Sequence, residues 1–462
     1  MTTTGPAATA GMLGTAWAAL SGEPELLPLV RVSGEDAGQL PSRLPCTSAV
    51  LAAVAASGLA VSALTAARTG SAPQPVALDA GHVALAARSE RYAAPDGSVP
   101  PRDLFAPLSR FWRTADGWLR LHTNYPWHRE RALRVLGCAD DPDAVARAVA
   151  ERPGHQLEED LAAAGALGFA VRTPAEWAGH PQGRAVAALP LVTSRAAGPG
   201  GWRPAPAPAL QGVRVLDLTR VIAGPVATRT LAAWGADVLR IDSPRLPEMP
   251  AQALDTLPGK RSALLDLALA GDRDRFSELL AAADVLVHGY RPGALDRYGL
   301  SGAELAEQHP HLTVVSVSAW GPHGPWAGRR GFDSLVQCPT GIAAVEGDDG
   351  RPGALPAQVL DHATGYLAAA AAVLSLAGAA GGGPVRHTRL SLAQTAHWLQ
   401  QPGTGERAPE RVVDPELWLV TLPGPSGPVR VIAPPGVVGD ARPAWRATTE
   451  IGHDPAGFAD RP

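Results

Sequence analysis

The feature that most constrains this chain is a run of 21 uncharged residues at positions 47–67, TSAVLAAVAASGLAVSALTAA. The run is long enough to cross a bilayer. It consists mostly of Ala with interspersed Ser, Thr and Gly, and such a segment inserts into a membrane less favourably than one built from Leu, Ile and Phe. We therefore predict a helix that is buried and closely packed inside the protein.

A second Ala-rich run, residues 364–380 (TGYLAAAAAVLSLAGAA), is similar to residues 48–64. In both places a turn rich in Gly or Ser follows, and then another amphipathic segment, at residues 75–87 and 387–399. Ala-rich helices resemble one another readily, so the shared succession is the stronger observation. It favours a partial internal duplication, in which Pro45 would lie opposite Asp361.

Residues 196–211 (AAGPGGWRPAPAPALQ) contain four prolines and show neither helical nor strand periodicity. We predict a semi-rigid linker there. After it, apolar strand-like runs alternate with helix-like segments, which indicates an open parallel α/β sheet. The predicted strands are 212–218, 237–242, 261–267, 284–290 and 313–320, and the predicted helices are 226–236, 273–283 and 303–309.

The part before the linker has a different pattern. Residues 113–123 (RTADGWLRLHT) are typical of a hairpin with an Asp116-Gly117 turn. Three helical segments follow, HRERALRVLG, DAVARAVAER and LEEDLAAAGAL. The sequence therefore predicts a smaller α+β domain ahead of the sheet domain.

Composition excludes several classes of function. The formal net charge is −4 and no basic run is present, so we expect neither a nucleic-acid partner nor a membrane partner. The three cysteines lack CxxC spacing and the histidines lack metal-ligand spacing, which argues against a disulfide framework and a metal site. The first residues do not form a secretory signal, and we expect a cytoplasmic protein.

Loops that follow the predicted strands are the expected ligand site, because open α/β sheets bind ligands at the carboxyl ends of their strands. The first loop, residues 219–225 (TRVIAGP), has no G-x-G-x-x-G motif, so a dinucleotide site is not indicated. Several cations lie in or beside these loops and suit a phosphate-bearing ligand: Lys260, Arg261, Arg291, Arg329 and Arg330. Lys260 is the one lysine among the 40 basic residues.

Five motifs in this region carry a family resemblance. They are GVRVLDLTRVIAGPVATRTLAAWGADVLRID, GKRSALLDL, DVLVHGYRPGALDRYGL, GFDSLVQCPTGI and VLDHATGY. In this order they resemble the family III CoA-transferases, which include formyl-CoA and carnitine-CoA transferases and related acyl-CoA racemases. The resemblance covers residues 212–400. It extends less fully to FWRTADGWLRLHTNYPWHRERALRVLG and RTPAEWAGHPQGRA, and to the final segment from GPVRVIAPP to TEIGH.

The resemblance implies a Rossmann-like CoA-binding sheet domain and a smaller α+β domain. Their order here differs from the family's, which indicates a permuted or partially duplicated chain. The predicted organisation is an N-terminal segment (1–40), a helical segment similar to 358–400 (41–95), the small domain (96–195), the linker (196–211), the catalytic sheet domain (212–400) and a C-terminal return segment (401–462).

Asp361 falls on the nucleophilic aspartate of the family. Its local pattern alone favours a helix cap, and the resemblance reverses that preference. A carboxylate at a helix N-terminus is stabilised as the anion, and neighbouring backbone N–H groups would hold the oxyanion of an attacked thioester. The implied reaction moves CoA from an acyl-CoA to a carboxylic acid acceptor through aspartyl anhydride and aspartyl-CoA thioester intermediates.

The resemblance also implies contacts with coenzyme A. Arg291 is expected at a CoA phosphate, with Arg330 as a weaker candidate of the same kind. Lys260 and Arg261 align with a basic pair near the nucleotide part of CoA. The loop residues Val221, Ile222 and Ala223 are expected to line the thioester end through their backbone.

Two alternatives stay open. The racemase branch has His where this chain has Phe332, and Phe cannot move a proton, so a racemase or epimerase is disfavoured. His362 is adjacent to Asp361 but diverges from it by about 100° on a helix, which makes it a poor substitute. The second alternative is a non-catalytic CoA-binding partner subunit. Family members form homodimers with sites between chains, so we expect a homodimer or a single chain that imitates one.

Overall fold

The computed structural model describes residues 6–100, 104–198 and 205–460. Its α-helices are α1 (Pro6–Ala19), α2 (Cys46–Thr69), α3 (Ala80–Ala86), α4 (Pro126–Leu136), α5 (Pro142–Ala150), α6 (Gly154–Ala163), α7 (Pro174–Gly179), α8 (Pro181–Ala187), α9 (Ala223–Ala233), α10 (Pro250–Thr256), α11 (Ala270–Ala282), α12 (Gly302–Gln308), α13 (Asp333–Val336), α14 (Ile342–Val345), α15 (Val359–Ala380) and α16 (Leu392–Gln400). Its strands are β1 (Val30–Ser33), β2 (Val76–Asp79), β3 (Ala94–Pro95), β4 (Phe111–Arg113), β5 (Trp118–Leu121), β6 (Gly168–Ala170), β7 (Thr193–Gly198), β8 (Arg214–Leu218), β9 (Asp237–Asp242), β10 (Lys260–Leu264), β11 (Val285–His288), β12 (Thr313–Ser318), β13 (Val385–Ser391), β14 (Leu419–Leu422), β15 (Val429–Ile432) and β16 (Val437–Val438).

The central sheet has seven strands in the order β10-β9-β8-β11-β12-β13-β7. Six of them are parallel, and β7 at the edge is antiparallel to β13. Strands β8 to β12 are separated by helices, as the alternating pattern predicts. The α/β fold class is therefore confirmed.

The predicted linker is wrong at its start. Residues 196–198 belong to β7, where Ala196 pairs with Arg386 of β13. The edge strand was missed because its sequence, TSRAAG, is short and lacks an apolar run. Residues 199–204 of the predicted linker lie outside the described residues.

Helices α2 and α15 pack along each other in the main hydrophobic core. The segments that precede the two helices are neighbours, so the helices begin at the same end. Just before α2, Ser42 Oγ and Arg43 N donate hydrogen bonds of 2.7 and 3.0 Å to Glu346, which lies between α14 and α15. Both are long and apolar enough to cross a membrane, but 83% and 78% of their most apolar windows are buried inside the protein. The prediction of a buried, closely packed helix at residues 47–67 is confirmed.

The succession of a long helix, a strand and a shorter helix occurs twice, as α2-β2-α3 and as α15-β13-α16. The residues that precede the long helices have nearly the same backbone angles, φ −76° and ψ 57° at Pro45 and φ −76° and ψ 63° at Gln358. Counting from these helix starts, Ser48 is equivalent to Asp361. The sequence alignment sets Pro45 opposite Asp361, and Pro45 lies three residues earlier along the helix than Ser48.

The smaller sheet has the strand order β4-β5-β6, and α4, α5 and α6 cover one of its faces through a separate core. Arg113 pairs with Trp118 across the predicted Asp116-Gly117 turn. Two further three-stranded sheets, β1-β2-β16 and β14-β15-β3, join the chain's C-terminal part to its N-terminal part.

A buried ion pair connects β8, α9 and β10. The ammonium of Lys260 lies 2.9 Å from Asp217 Oδ2 and donates to Thr228 Oγ1 at 2.6 Å and to the carbonyl of Pro225 at 3.2 Å. Both charged side chains have no solvent exposure. Burial lowers the pKa of Lys260 to about 8, against the opposing effect of Asp217. The pair thus fixes the start of α9 to the sheet.

Removing one member of this pair should be costly, because the other charge would stay buried without a partner. We expect Lys260→Met to lower the free energy of unfolding by about 3–5 kcal/mol. The double variant Lys260→Met/Asp217→Asn should recover more than half of that loss, since Asn keeps the hydrogen bond from Thr219. Urea denaturation of the three proteins measures both effects. A loss below about 1 kcal/mol in the single variant would contradict the buried pair.

Candidate functional site

Asp361 occupies the first turn of α15 and is 6% exposed. Within the described residues, no hydrogen bond reaches its carboxyl group. Burial raises the pKa of Asp361 well above its usual value, and the nearby carboxylates of Asp333 and Glu90 raise this pKa further. Asp361 is therefore held in a setting that disfavours its anion.

Asp333, the first residue of α13, holds the start of α15 in place. Its Oδ2 accepts a hydrogen bond of 2.9 Å from the backbone N–H of Asp361, and its Oδ1 accepts one of 2.5 Å from Gln337. Burial raises the pKa of Asp333 to about 6, while the bonds from Asp361, Gln337 and the Leu360 backbone oppose that rise. The backbone N–H groups of Leu360 and Asp361, at the start of α15, are therefore already engaged by Asp333.

The N-terminal part of the chain supplies the third carboxylate. Glu90 lies in a short helical turn, Ser89–Arg91, and is 4% exposed. Its Oε2 lies 3.1 Å from His362 Nε2, and this contact with His362 holds the pKa of Glu90 below its usual value despite burial. His362 is thus a fully buried partner of Glu90 and does not share the face of Asp361.

The loop before α9 meets the face of α15 that carries Asp361. Gly365 lies one helical turn after Asp361, and a Cβ atom on Gly365 would come within 2.6 Å of the carbonyl oxygen of Ala223. Only glycine permits this close approach. Of the predicted loop residues, Ile222 and Ala223 are buried and Val221 is partly buried, beside this helix crossing.

Val221 has a left-handed backbone conformation, φ 70°, which is rare for a β-branched residue and costs about 1–3 kcal/mol. Its N–H donates to Glu248 Oε2 at 3.1 Å. Glu248 is buried and also accepts hydrogen bonds from Arg240 and from the hydroxyl of Tyr125. The strain at Val221 is thus held by a buried carboxylate.

Aromatic residues of the small domain cover this region from within the same chain. His122 stacks on Phe332 with ring centres 4.1 Å apart, and Tyr125 and His128 lie about the same ring at 6.3 and 6.2 Å. Burial is the main cause that lowers the pKa of His122 to about 3 and that of His128 to about 4. Both rings are therefore neutral at pH 7. Phe332 immediately precedes Asp333, so this cluster lies next to the carboxyl group that positions Asp361.

Sequence reasoning gave no role to these small-domain residues, or to Arg120 on the same face of β5 as His122. Arg120 is 7% exposed, and its pKa is lowered by burial. The available signal was the segment LRLHTNYPWH, in which two histidines and two other aromatic residues lie at the end of the predicted hairpin and directly after it. The contact with Phe332 is long-range and could not be predicted from local pattern.

The predicted basic pair does not reach the site. Lys260 points into the core, as described above. Arg261 forms an ion pair with Asp237 at 2.6 Å and donates to the carbonyl of Gly457. Both expected CoA contacts are thus engaged inside the protein, because the edge strand β10 directs Lys260 toward α9 and Arg261 toward the C-terminal segment.

Arg291 and Arg330 do lie together. Both line a small cavity of about 100 Å³ beside α6 and β6. Burial and the positive charges of Arg291 and Arg131 lower the pKa of Arg330. Arg131, on α4 of the small domain, was not predicted. Three guanidinium groups that repel one another form a cationic patch, which we call the arginine patch (Arg131, Arg291 and Arg330).

The known proteins that match this chain are described in similar terms, as CoA-transferases or acyl-CoA transferases. Residues 210–416 match the family model described as CoA-transferase family III. An acyl-CoA transferase of Gibberella moniliformis is 32% identical over 289 residues, 56% of this chain and 50% of its own length. The probable fatty acyl-CoA transferase Rv3272 of Mycobacterium tuberculosis is 32% identical over 185 residues, 37% of this chain and 47% of its own length. A formyl-CoA:oxalate CoA-transferase of Rhodopseudomonas palustris is 34% identical over 181 residues, 36% of this chain and 42% of its own length.

Solved structures include similar chains. A crystal structure of Rv3272 from M. tuberculosis is 28% identical with a TM-score of 0.39, and the match covers 41% of this chain and 56% of that one. A CaiB/BaiF family protein from Brucella suis is 25% identical with a TM-score of 0.38, covering 47% and 64%. The chain spans about half the length of the curated relatives it matches. Through residues 210–416, a little under half of its length, this chain is similar to CoA-transferase family III.

Proposed function

We propose that this protein transfers CoA from an acyl-CoA thioester to an acceptor carboxylic acid, with Asp361 as the nucleophile. The observation that carries the proposal is the setting of Asp361. It is nearly buried, accepts no hydrogen bond from the described residues, and lies beside two other carboxyl groups. A carboxylate that is neither solvated nor hydrogen-bonded is a strong nucleophile once it loses its proton.

The proposed reaction has four steps, and in each one bond forms as another breaks. Asp361 attacks the thioester carbonyl and expels the CoA thiolate, which leaves a mixed anhydride. The thiolate then attacks the Asp361 carbonyl and releases the donor carboxylate. An acceptor carboxylate attacks the resulting aspartyl-CoA thioester, and the thiolate finally attacks the acceptor's carbonyl and restores Asp361.

The surrounding residues have separate roles in this proposal. Asp333 holds the backbone of Asp361, and Glu90 raises the pKa of Asp361 so that the free anion is reactive. The rings around Phe332 exclude water from the anhydride, which water would otherwise hydrolyse. The backbone of residues 221–223, fixed through Glu248 and Lys260, lines the thioester end.

Phe332 also weighs against a racemase. Its ring stacks on the neutral imidazole of His122, and it presents no exchangeable proton at the position where that branch has histidine. The chain's own small domain covers the site, which agrees with a single chain that imitates the dimer. A homodimer and a cytoplasmic location stay predictions.

The decisive variant is Asp361→Asn, which keeps the shape and removes the titratable group. We expect CoA transfer to fall at least about a thousand-fold. Because the pKa of Asp361 is raised on folding, its ionisation costs stability as pH rises above the ordinary carboxyl range. The variant should therefore be more stable than the wild type at pH 8, by about 1–3 kcal/mol. Thermal unfolding and turnover are measured together.

The matched control is Asp274→Asn on α11, an exposed residue of a helix that packs in a different core from α15. It should change neither quantity. A site that is only structural would lose stability in Asp361→Asn, and that result, or retained turnover, would contradict the proposal.

Glu90 offers a test of the electrostatic account. Glu90→Gln removes a negative charge near Asp361 and keeps an acceptor for His362. The pKa of Asp361 should fall, and since the anion is the nucleophile, the rising limb of kcat/KM against pH should move to lower pH by about half a unit or more. A limb that stays in place with only a lower plateau would show that Glu90 acts through structure alone.

The arginine patch should bind phosphate groups of CoA. We expect Arg330→Ala to raise the KM for acyl-CoA about ten-fold with little change in kcat, because one charge-assisted contact is lost. The control Arg446→Ala removes an exposed arginine near the C-terminal segment and should leave KM within two-fold, roughly the scatter of surface charge changes. Equal effects of the two variants would contradict this assignment.

A further inference from the structure

A larger cavity lies on the other face of the central sheet. It has a volume of about 350 Å³ and is bounded by β11, β12, β13, β7 and the residues around α12. Cavities of this size are typical of small-molecule sites. Its basic lining residues are Arg195, Arg291, Arg389, His288, His323 and His387, and one acid, Asp296, is among its lining residues.

Strand register explains why so many basic side chains converge. His288 pairs with Ser316, and Ser316 pairs with Arg389, so these three side chains project from the same face in one row. In the preceding row, Val314 pairs with His387, and His387 pairs with Arg195 of β7. The antiparallel edge strand thus adds a cation to the row.

This face is opposite to the one that carries Asp361. Val314 belongs to the core that includes Leu305 of α12. Val315 and Val317, which point the other way along β12, belong to the core that contains α15. The cavity and the nucleophile are therefore separated by the thickness of the sheet.

The three arginines in the cavity form no ion pair with a residue that the structure describes. Arg195 and Arg291 donate to the carbonyls of Gly302 and Gly328, and neither forms an ion pair with a described residue. For Arg389 the described part of the chain supplies neither an ion pair nor a side-chain hydrogen bond. A cluster of cations without counter-charges repels itself and is stabilised by a bound anion.

Two histidines add unsatisfied nitrogen atoms. His387 is 7% exposed, and among the described residues neither its Nε2 nor Nδ1 of His288 has a hydrogen-bond partner. Buried polar atoms are nearly always paired, so each such atom requires an explanation. Both residues line the cavity, where a ligand with several acceptor oxygens would satisfy them.

We propose that this cavity binds a phosphate-type dianion through Arg195, Arg389, His288 and His387, at a site separate from the Asp361 centre. Arginine forks and imidazole N–H groups match the acceptor oxygens of phosphate. Arg291 lies where this cavity adjoins the arginine patch, so the anion is either free in solution or the phosphate end of a larger molecule such as CoA. The proposal does not depend on the transfer reaction.

Anion binding should be coupled to proton uptake. Burial lowers the pKa of both His288 and His387 to about 4, and positive neighbours contribute: Arg389 and His387 act on His288, and Arg195 and Arg389 act on His387. The remaining titratable lining groups are Tyr290, Arg291, Asp296 and His323. A dianion placed among them raises the pKa of the histidines, so they take up protons as it binds. Affinity for the dianion should accordingly increase as pH falls from 8 toward the pH at which phosphate itself takes up a proton.

The test is calorimetric titration of the full chain with inorganic phosphate, in two buffers of different ionisation enthalpy. We expect saturable binding with net proton uptake. Arg389→Ala should weaken phosphate about ten-fold or more. His387→Gln should weaken it less and should lower the proton uptake, since His288 alone then takes up a proton. Arg446→Ala, the exposed control, should bind phosphate as the wild type does.

A titration of the phosphate complex with CoA and with dephospho-CoA identifies the source of the anion. Displacement by CoA alone assigns the cavity to the 3′-phosphate of CoA, and binding of phosphate and CoA together assigns it to a free anion. The proposal is overturned if wild-type protein binds no phosphate at millimolar concentration. Equal binding by wild type, Arg389→Ala and His387→Gln would also overturn it. Neither result bears on the proposed transfer reaction, whose readout is turnover.

Discussion

The packing of α2 against α15 is the constraint on which the rest of the structure depends. Both helices are built from small uncharged residues, so they approach closely and bury almost all of their surface. Asp361 lies on α15, so this packing places its carboxyl group in the interior. It is one of the few ionisable residues on either helix. The same contact brings Glu90, from the segment that follows α3, to His362. The electrostatic setting of the proposed nucleophile is thus a consequence of helix packing.

A second group of buried charged residues fixes the position of the loop 221–223. Lys260 and Asp217 fix the start of α9, while Glu248 receives the strained N–H of Val221 and the hydroxyl of Tyr125. Each pair is costly to break and contributes little net stability when intact. Their role is to position the loop, because they hold the unfavourable backbone conformation of Val221 beside α15. Tyr125 also connects this group to the small domain of the same chain.

Much of the site was predictable, but only where a motif carried it. Asp361 and the 221–223 loop lie in motifs, and the structure brings them together at Gly365. Lys260 was misplaced because a cation at a strand start points either into the core or toward solvent. The register decides: Lys260 pairs with Val238 and shares its buried face. His122, Tyr125 and Arg131 were missed because they meet the sheet domain through contacts far apart in sequence. The cavity beside β13 was missed for a related reason. The basic residues of VRHTRLS form a cluster only when β7 and β12 pair with this strand, and that pairing is not visible in the local sequence.

The central claim is that Asp361 forms an anhydride with the acceptor acid, and the fate of one oxygen atom tests it. In the proposed reaction the bridging oxygen of the second anhydride comes from the acceptor. When the CoA thiolate attacks the acceptor's carbonyl carbon, the Asp361 carboxylate leaves and keeps that oxygen. Turnover can be run with oxygen-18-labelled oxalate and formyl-CoA, and with labelled palmitate and palmitoyl-CoA, followed by mass spectrometry of the peptide that contains Asp361. The account predicts heavy oxygen in that peptide, and none in the peptide that contains Asp333, for each pair that supports CoA transfer. Continued transfer without label at Asp361 would contradict it.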